Sequence, residues 1–212
     1  MCHKYNIILI ALALALLYTE QVHADSFTGM LLRVLDGNTI EVLHDGKPES
    51  VRLANIYAPE KDQPFGVAAK GYAWAVAAHQ IVTVRFENYD LYGRAVGEVF
   101  LFDGNNLNKL LVKTGHAWHY KGFSNDPDYA DLEADAGKAG RGLWGVENPV
   151  PPWEWRWVQS QASRPSFRCG SKQYCHEMES CDEAKLYLYA CGLSRLDRDG
   201  NGVPCENICK GP

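Results

Sequence analysis

Short apolar runs with polar interruptions dominate the middle of this chain. Phe27 to Val34, Thr39 to Leu43 and Val51 to Ile56 are rich in β-branched and apolar residues. The turn formers Asp36-Gly37-Asn38 and His44-Asp45-Gly46-Lys47-Pro48 separate them, a pattern that predicts three strands joined by tight connections. An Ala-rich stretch from Phe65 to Gln80 has the length of a helix packed on a sheet. Ile81 to Glu87 and Ala95 to Phe102 predict two further strands around Asp90-Leu91-Tyr92-Gly93. Leu107, Leu110 and Leu111 follow helical spacing, with Asn106 placed to cap that helix and Gly115 to end it. Asp128 to Gly137 reads as a last, more polar helix. Five strands with a helix between the third and fourth describe an α+β fold, a five-stranded OB-type barrel with three helices.

Both ends depart from this pattern. Residues 1–24 read as a secretory signal peptide: Lys4, an uncharged apolar run from Ile7 to Tyr18, then Val22-His23-Ala24 at the cleavage position. The run is short for a membrane span, which argues against an uncleaved anchor. Residues 147–168 are rich in Pro and Trp. Their first half, with Trp153, Trp155 and Trp157 alternating, is expected to clamp onto the main body, and residues 158–167 form a polar linker. The expected organisation is a leader (1–24), a barrel domain (25–157), the linker, and a small terminal domain (168–212).

Composition narrows the function. With 46% hydrophobic and 22% charged residues the chain is globular in character. Residues 25–157 carry 13 basic and 18 acidic side chains. That balance excludes coating nucleic acid by bulk charge, so any such chemistry needs a local constellation. The cysteines are confined: after Cys2 there is none until Cys169, followed by Cys175, Cys181, Cys191, Cys205 and Cys209. An even number in a short tail behind a leader reads as three disulfides, with about 15 connectivities open. Zinc is disfavoured, since no C-x-x-C pair occurs and His176 is the tail's one histidine.

Three motifs carry a resemblance. Val34-Leu35-Asp36-Gly37-Asn38-Thr39-Ile40, Val51-Arg52-Leu53-Ala54-Asn55-Ile56-Tyr57-Ala58-Pro59-Glu60 and Asp90-Leu91-Tyr92-Gly93-Arg94 resemble the signatures of staphylococcal-nuclease-type (thermonuclease) domains. Leu107-Asn108, Gly115-His116-Ala117-Trp118, Gly142-Leu143-Trp144 and Pro152-Trp153-Glu154-Trp155-Arg156 are similar to that family's second half. The resemblance covers residues 27–157 and implies cleavage of DNA or RNA phosphodiesters. It places Arg52 and Arg94 at the family's phosphate-binding arginines and Glu60 at the carboxylate that orients or deprotonates water. Planar, bidentate and permanently charged guanidinium groups suit phosphate oxygens, and a carboxylate suits the base. Tyr92 and Tyr120 are candidates for stacking on substrate bases.

The resemblance also implies a calcium site at Asp36, Asn38 and the Ala58 carbonyl. There the chain departs from the family: Asn38 and Tyr57 stand where carboxylates are usual, which should weaken the site, because ligand charge tunes calcium affinity. The tail has a signature of its own. Asp197-Arg198-Asp199-Gly200-Asn201-Gly202-Val203-Pro204-Cys205-Glu206 resembles the excalibur domain, an extracellular calcium-binding module with a shortened EF-hand-like loop. The resemblance implies calcium ligation by Asp197, Asp199, Asn201 and Glu206. The reading is a secreted, metal-assisted nuclease with calcium as cofactor, monomeric and free of membrane after leader removal. The alternative is an inactive OB-fold binder of nucleic acid with a calcium-stabilised tail.

Overall fold

The computed structural model describes residues 25–146, 149–164, 166–200 and 202–209. The leader (1–24) and Asn201 lie outside these. Strands β1 (Asp25–Asp36), β2 (Thr39–His44), β3 (Lys47–Leu53), β5 (Ile81–Tyr89) and β6 (Ala95–Phe100) close into a barrel of order β1-β2-β3-β6-β5. The β3–β6 pair is parallel and the others are antiparallel, which is OB closure as the pattern predicts. A separate pair, β4 (Ile56–Tyr57) and β7 (Trp118–His119), lies beside it. Alternation turns Leu31, Ile40, Val42, Val51, Leu53, Val82, Val84 and Val99 into a core that is fully buried or nearly so. Each contributes about 1.5–3 kcal/mol by leaving water. The barrel is tight enough that a Cβ on Gly97 would lie 2.2 Å from the Arg85 carbonyl oxygen, next to the register shift between Phe86 and Asn88.

Helices α1 (Gly66–Ala77), α2 (Leu107–Lys113) and α3 (Pro127–Lys138) pack around the barrel. Asn106 caps α2 by accepting the Lys109 N–H at 3.1 Å, as expected. The expected third strand ends early. Asn55 takes a left-handed φ of 65°, the Ala54 N–H bonds the Gly97 carbonyl at 2.8 Å, and Ile56–Tyr57 turns off to pair with β7.

One buried amide holds this corner. Asn108 is fully buried; it accepts the Val99 N–H (3.2 Å) and donates to the carbonyls of Ala54 (2.9 Å) and Gly97 (3.1 Å). Asn108→Leu removes three hydrogen bonds to buried backbone groups, of which only the Gly97 carbonyl keeps another donor, the Ala54 N–H, and should cost about 2–4 kcal/mol. Urea unfolding is the check.

The tryptophan-rich segment is helical: α4 runs Pro152–Ala162. A period near 3.6 sends alternating tryptophans to different neighbours. Trp153 faces the barrel, packing on Tyr57 and Tyr120, while Trp155 meets Tyr189 of the tail. The polar linker expected from residue 158 therefore begins inside a helix, and Val158 is fully buried. Glu154 reaches Lys185 of the tail at 2.9 Å.

The tail is built on α5 (Cys181–Cys191) and α6 (Glu206–Cys209). Ser180 caps α5 by accepting the Glu183 N–H, and Gly192 ends it with a φ of 65°. The open connectivity resolves as Cys169–Cys191, Cys175–Cys205 and Cys181–Cys209. Its buried core is Met178, Ala184, Tyr187, Leu196 and Cys205, too small to stand without cross-links. Among the described residues no helix is long and apolar enough to cross a membrane.

Candidate functional site

Arg52 and Arg94 converge on one rim of the barrel. Arg52, near the end of β3, lies opposite Thr39 on β2. Its guanidinium donates to the carbonyls of Leu53 (2.6 Å), Ile56 (3.1 Å) and Asn38 (3.4 Å) and lies 5.3 Å from the Tyr57 ring centre. Burial pulls its pKa down; Tyr57 and Asp36 oppose this, and Arg94 and Arg156 add to it. Arg94 follows the 90–93 turn and donates to Asp90 from Nε at 2.8 Å and to the Thr39 hydroxyl from Nη1 at 3.3 Å. Thr39 thus links the two arginines. Both line a cleft of about 600 Å³ with Asp90, Glu98, Tyr120 and Phe123. Tyr120 belongs to the cleft wall, whereas Tyr92 is exposed at its edge with Arg94 over its ring at 5.4 Å.

Asp90 holds the Arg94 turn. Burial pushes its carboxyl up, but bonds from the Arg94 and Tyr92 N–H groups and the Arg94 side chain outweigh that and leave its pKa below the ordinary value. A depressed carboxyl stabilises the fold above its unfolded pKa and loses that contribution as pH falls through the folded value. The turn should therefore keep its amide protection at neutral pH and lose it only in acid below the usual carboxylate range. Asp90→Asn should remove that pH dependence, as read by NMR titration.

Glu60 occupies the loop between β4 and α1; it is not among the residues that line the cleft, and it lies near Tyr57. Gln63 fixes it: its Oε1 accepts the Glu60 N–H at 3.0 Å and its Nε2 donates to the Val150 carbonyl at 2.6 Å. The helix must approach closely, since a Cβ on Gly66 would lie 1.9 Å from the Glu60 carbonyl oxygen. Glu60 does not cap α1, whose N-cap is Phe65 in a left-handed conformation. Its Oε1 lies 2.5 Å from Arg156 Nε of α4, and the Arg156 guanidinium also covers the Tyr57 ring at 5.2 Å.

The calcium donors expected at the rim are engaged with one another. Asn38 Oδ1 accepts the Ala58 N–H at 2.6 Å, while Asn38 Nδ2 donates to the Ala58 carbonyl at 3.1 Å. Asp36 Oδ1 accepts the Asn38 N–H at 2.7 Å. Asn38 is buried, and Tyr57 is faced by the Arg52 and Arg156 guanidinium groups, with Glu60 near them. A hard cation needs several charged or unengaged oxygens; as placed, this set does not fit calcium. Among the described residues no group of three or more His, Cys, Asp or Glu side chains forms a metal cluster.

The tail offers a different donor set. Gly200 (φ 73°) turns the loop carrying Asp197 and Asp199, and Asp197 Oδ2 accepts the Gly202 N–H at 2.9 Å. The Tyr189 hydroxyl donates to the Gly202 carbonyl at 2.5 Å, and Cys175–Cys205 pins the loop's exit next to Glu206. Asp197, Asp199 and Glu206 are hard oxygen donors of the kind that suits calcium; as placed, they do not gather into a cluster of three.

Residues 50–146 match the family described as staphylococcal nuclease homologue, and residues 172–206 match the Excalibur calcium-binding domain. The chain is 43% identical over 128 residues to an uncharacterized endonuclease of Escherichia coli O157:H7, covering 60% of this chain and 84% of that protein. The chain belongs to the staphylococcal nuclease homologue family. It is also 35% identical over 164 residues to a micrococcal nuclease of Shigella flexneri (73% of this chain, 94% of that protein) and 35% identical over 163 residues to the ParB protein of Escherichia coli (72% and 92%). In this family member the barrel is followed by a calcium-binding domain, so calcium is its cofactor.

Two rim residues escape a reading of the sequence alone. Gln63 was visible only as a polar residue three positions after Glu60. Arg156 belongs to the Pro152-Trp153-Glu154-Trp155-Arg156 motif, but only the helical course of α4 brings it to Glu60.

Proposed function

We propose that this chain is a secreted nuclease that hydrolyses phosphodiester bonds of DNA or RNA at the barrel rim. The observation that carries the reading is the convergence of Arg52 and Arg94, through Thr39, on one cleft, with Glu60 close to Tyr57, the ring that Arg52 covers. The guanidinium groups would hold the non-bridging phosphate oxygens and stabilise the charge that builds there in the transition state. Glu60 would take a proton from a water. The water oxygen then bonds to phosphorus, and the bond to the leaving oxygen breaks with its electron pair staying on that oxygen, which takes a proton from solvent. Arg52 is held by three backbone carbonyls, so little of its freedom remains to be lost on binding. Tyr92 and Tyr120 would stack on bases flanking the bond.

Calcium in the tail, held by Asp197, Asp199, Asn201 and Glu206, would supply charge that orders the loop. Three disulfides suit an oxidising, extracellular setting, and secretion by the leader (1–24) accounts for it. The domain division at 25–157 and 168–212 is part of the same reading, with α4 contacting both units. The test is degradation of plasmid and of RNA by the purified protein, with calcium and with chelator. Cleavage of either substrate supports the reading; retained binding with no cleavage favours the passive OB-fold binder.

A further inference from the structure

The rim carries Asn38 and Tyr57 where carboxylates are usual, and a third arginine lies in the same neighbourhood. Arg52 and Arg156 both lie over Tyr57, at 5.3 and 5.2 Å, and Arg156 pairs with Glu60. An ion pair whose arginine side chain is 62% exposed would not by itself fix a guanidinium. Here the backbone that delivers it is built in. Trp153 packs on Tyr57 and Tyr120, Val158 is buried, and Gln63 ties the Glu60 loop to Val150 just before α4. Two guanidinium groups face one tyrosine, and Arg94 as well as Arg156 repels Arg52, which makes an anion with several oxygens a fitting guest. Asn38 and Ala58 close on each other beside them.

We propose that Arg156 supplies the positive charge that the rim does not draw from a metal ion, acting as a third phosphate-binding arginine so that the barrel engages phosphodiesters without bound calcium. The inference rests on the nuclease reading for its catalytic part and on the Asn38–Ala58 and Arg156–Glu60 geometry for the rest. Calcium in this protein then belongs to the tail alone.

The experiment uses the full chain with a single-stranded DNA oligonucleotide, in calcium and in EGTA. Cleavage should persist in EGTA. Arg156→Ala should slow it about 100-fold and Arg156→Lys by less, because charge survives without the fork geometry. Calorimetry should count one calcium per chain and none in Asp199→Asn. A phosphorothioate oligonucleotide should bind in EGTA and lose about tenfold in affinity with Arg156→Ala. A calcium still bound by Asp199→Asn, cleavage abolished by EGTA, or an Arg156→Ala variant as fast as or faster than the parent would each overturn the proposal. Should the protein cut nothing in any condition, the nuclease reading falls. The calcium count and the Arg156-dependent oligonucleotide affinity then decide the inference separately.

Discussion

Replacing Arg94 by alanine should lower the rate of phosphodiester cleavage by about 100-fold or more, the usual loss when a preorganised transition-state donor is removed. Arg94 sits on the rim with its Nη1 on Thr39 and its Nε on Asp90. Its side chain is 28% exposed, so removal opens no core cavity and the fold should survive. The loss should therefore appear mainly in turnover, with a melting temperature lowered only slightly by the lost Asp90 pairing. Arg52→Ala should be at least as damaging to activity but less clean to interpret. That guanidinium satisfies the carbonyls of Leu53, Ile56 and Asn38, and its loss unsettles the turn into β4. Single-turnover rates for both variants, beside thermal melts, separate the two effects.

Cys175→Ser combined with Cys205→Ser should destabilise the tail by about 2–5 kcal/mol, as expected for a native cross-link closing a loop in a small module. The sequence separation is 30, and the staple pins the loop beside Glu206. The tail's own core is five buried residues, so most of its cohesion comes from cross-links. The barrel core contains no cysteine and should be unaffected. Two separated transitions in a denaturant titration, with only the weaker one shifted, would show this. Calcium affinity should fall in parallel.

The barrel was legible because each strand alternates and each connection carries turn formers. Asp36-Gly37-Asn38 and the 90–93 turn mark where strands end, and the hydrophobic positions lie on one face. What failed did so where tertiary contacts override local pattern. Val51 to Ile56 reads as one strand, yet Asn55 in a left-handed conformation breaks it. Residue 158 reads as the start of a polar linker, yet Val158 is buried on a helix that serves two neighbours. Arg52, Arg94 and Glu60 could be picked out by motif. Their meeting with Arg156 could not, because that contact joins positions 60 and 156 and depends on the helical phase of α4. Asn38 could be seen to lack a charge, but its closure on the Ala58 backbone is a property of the folded rim.

The most direct test of the central claim is a crystal structure of the protein with a short phosphorothioate single strand bound. The account predicts a phosphate between the Arg52 and Arg94 guanidinium groups, with Glu60 on the side from which water attacks. A strand lying on another face of the barrel, with both arginines still turned to their protein partners, would contradict it.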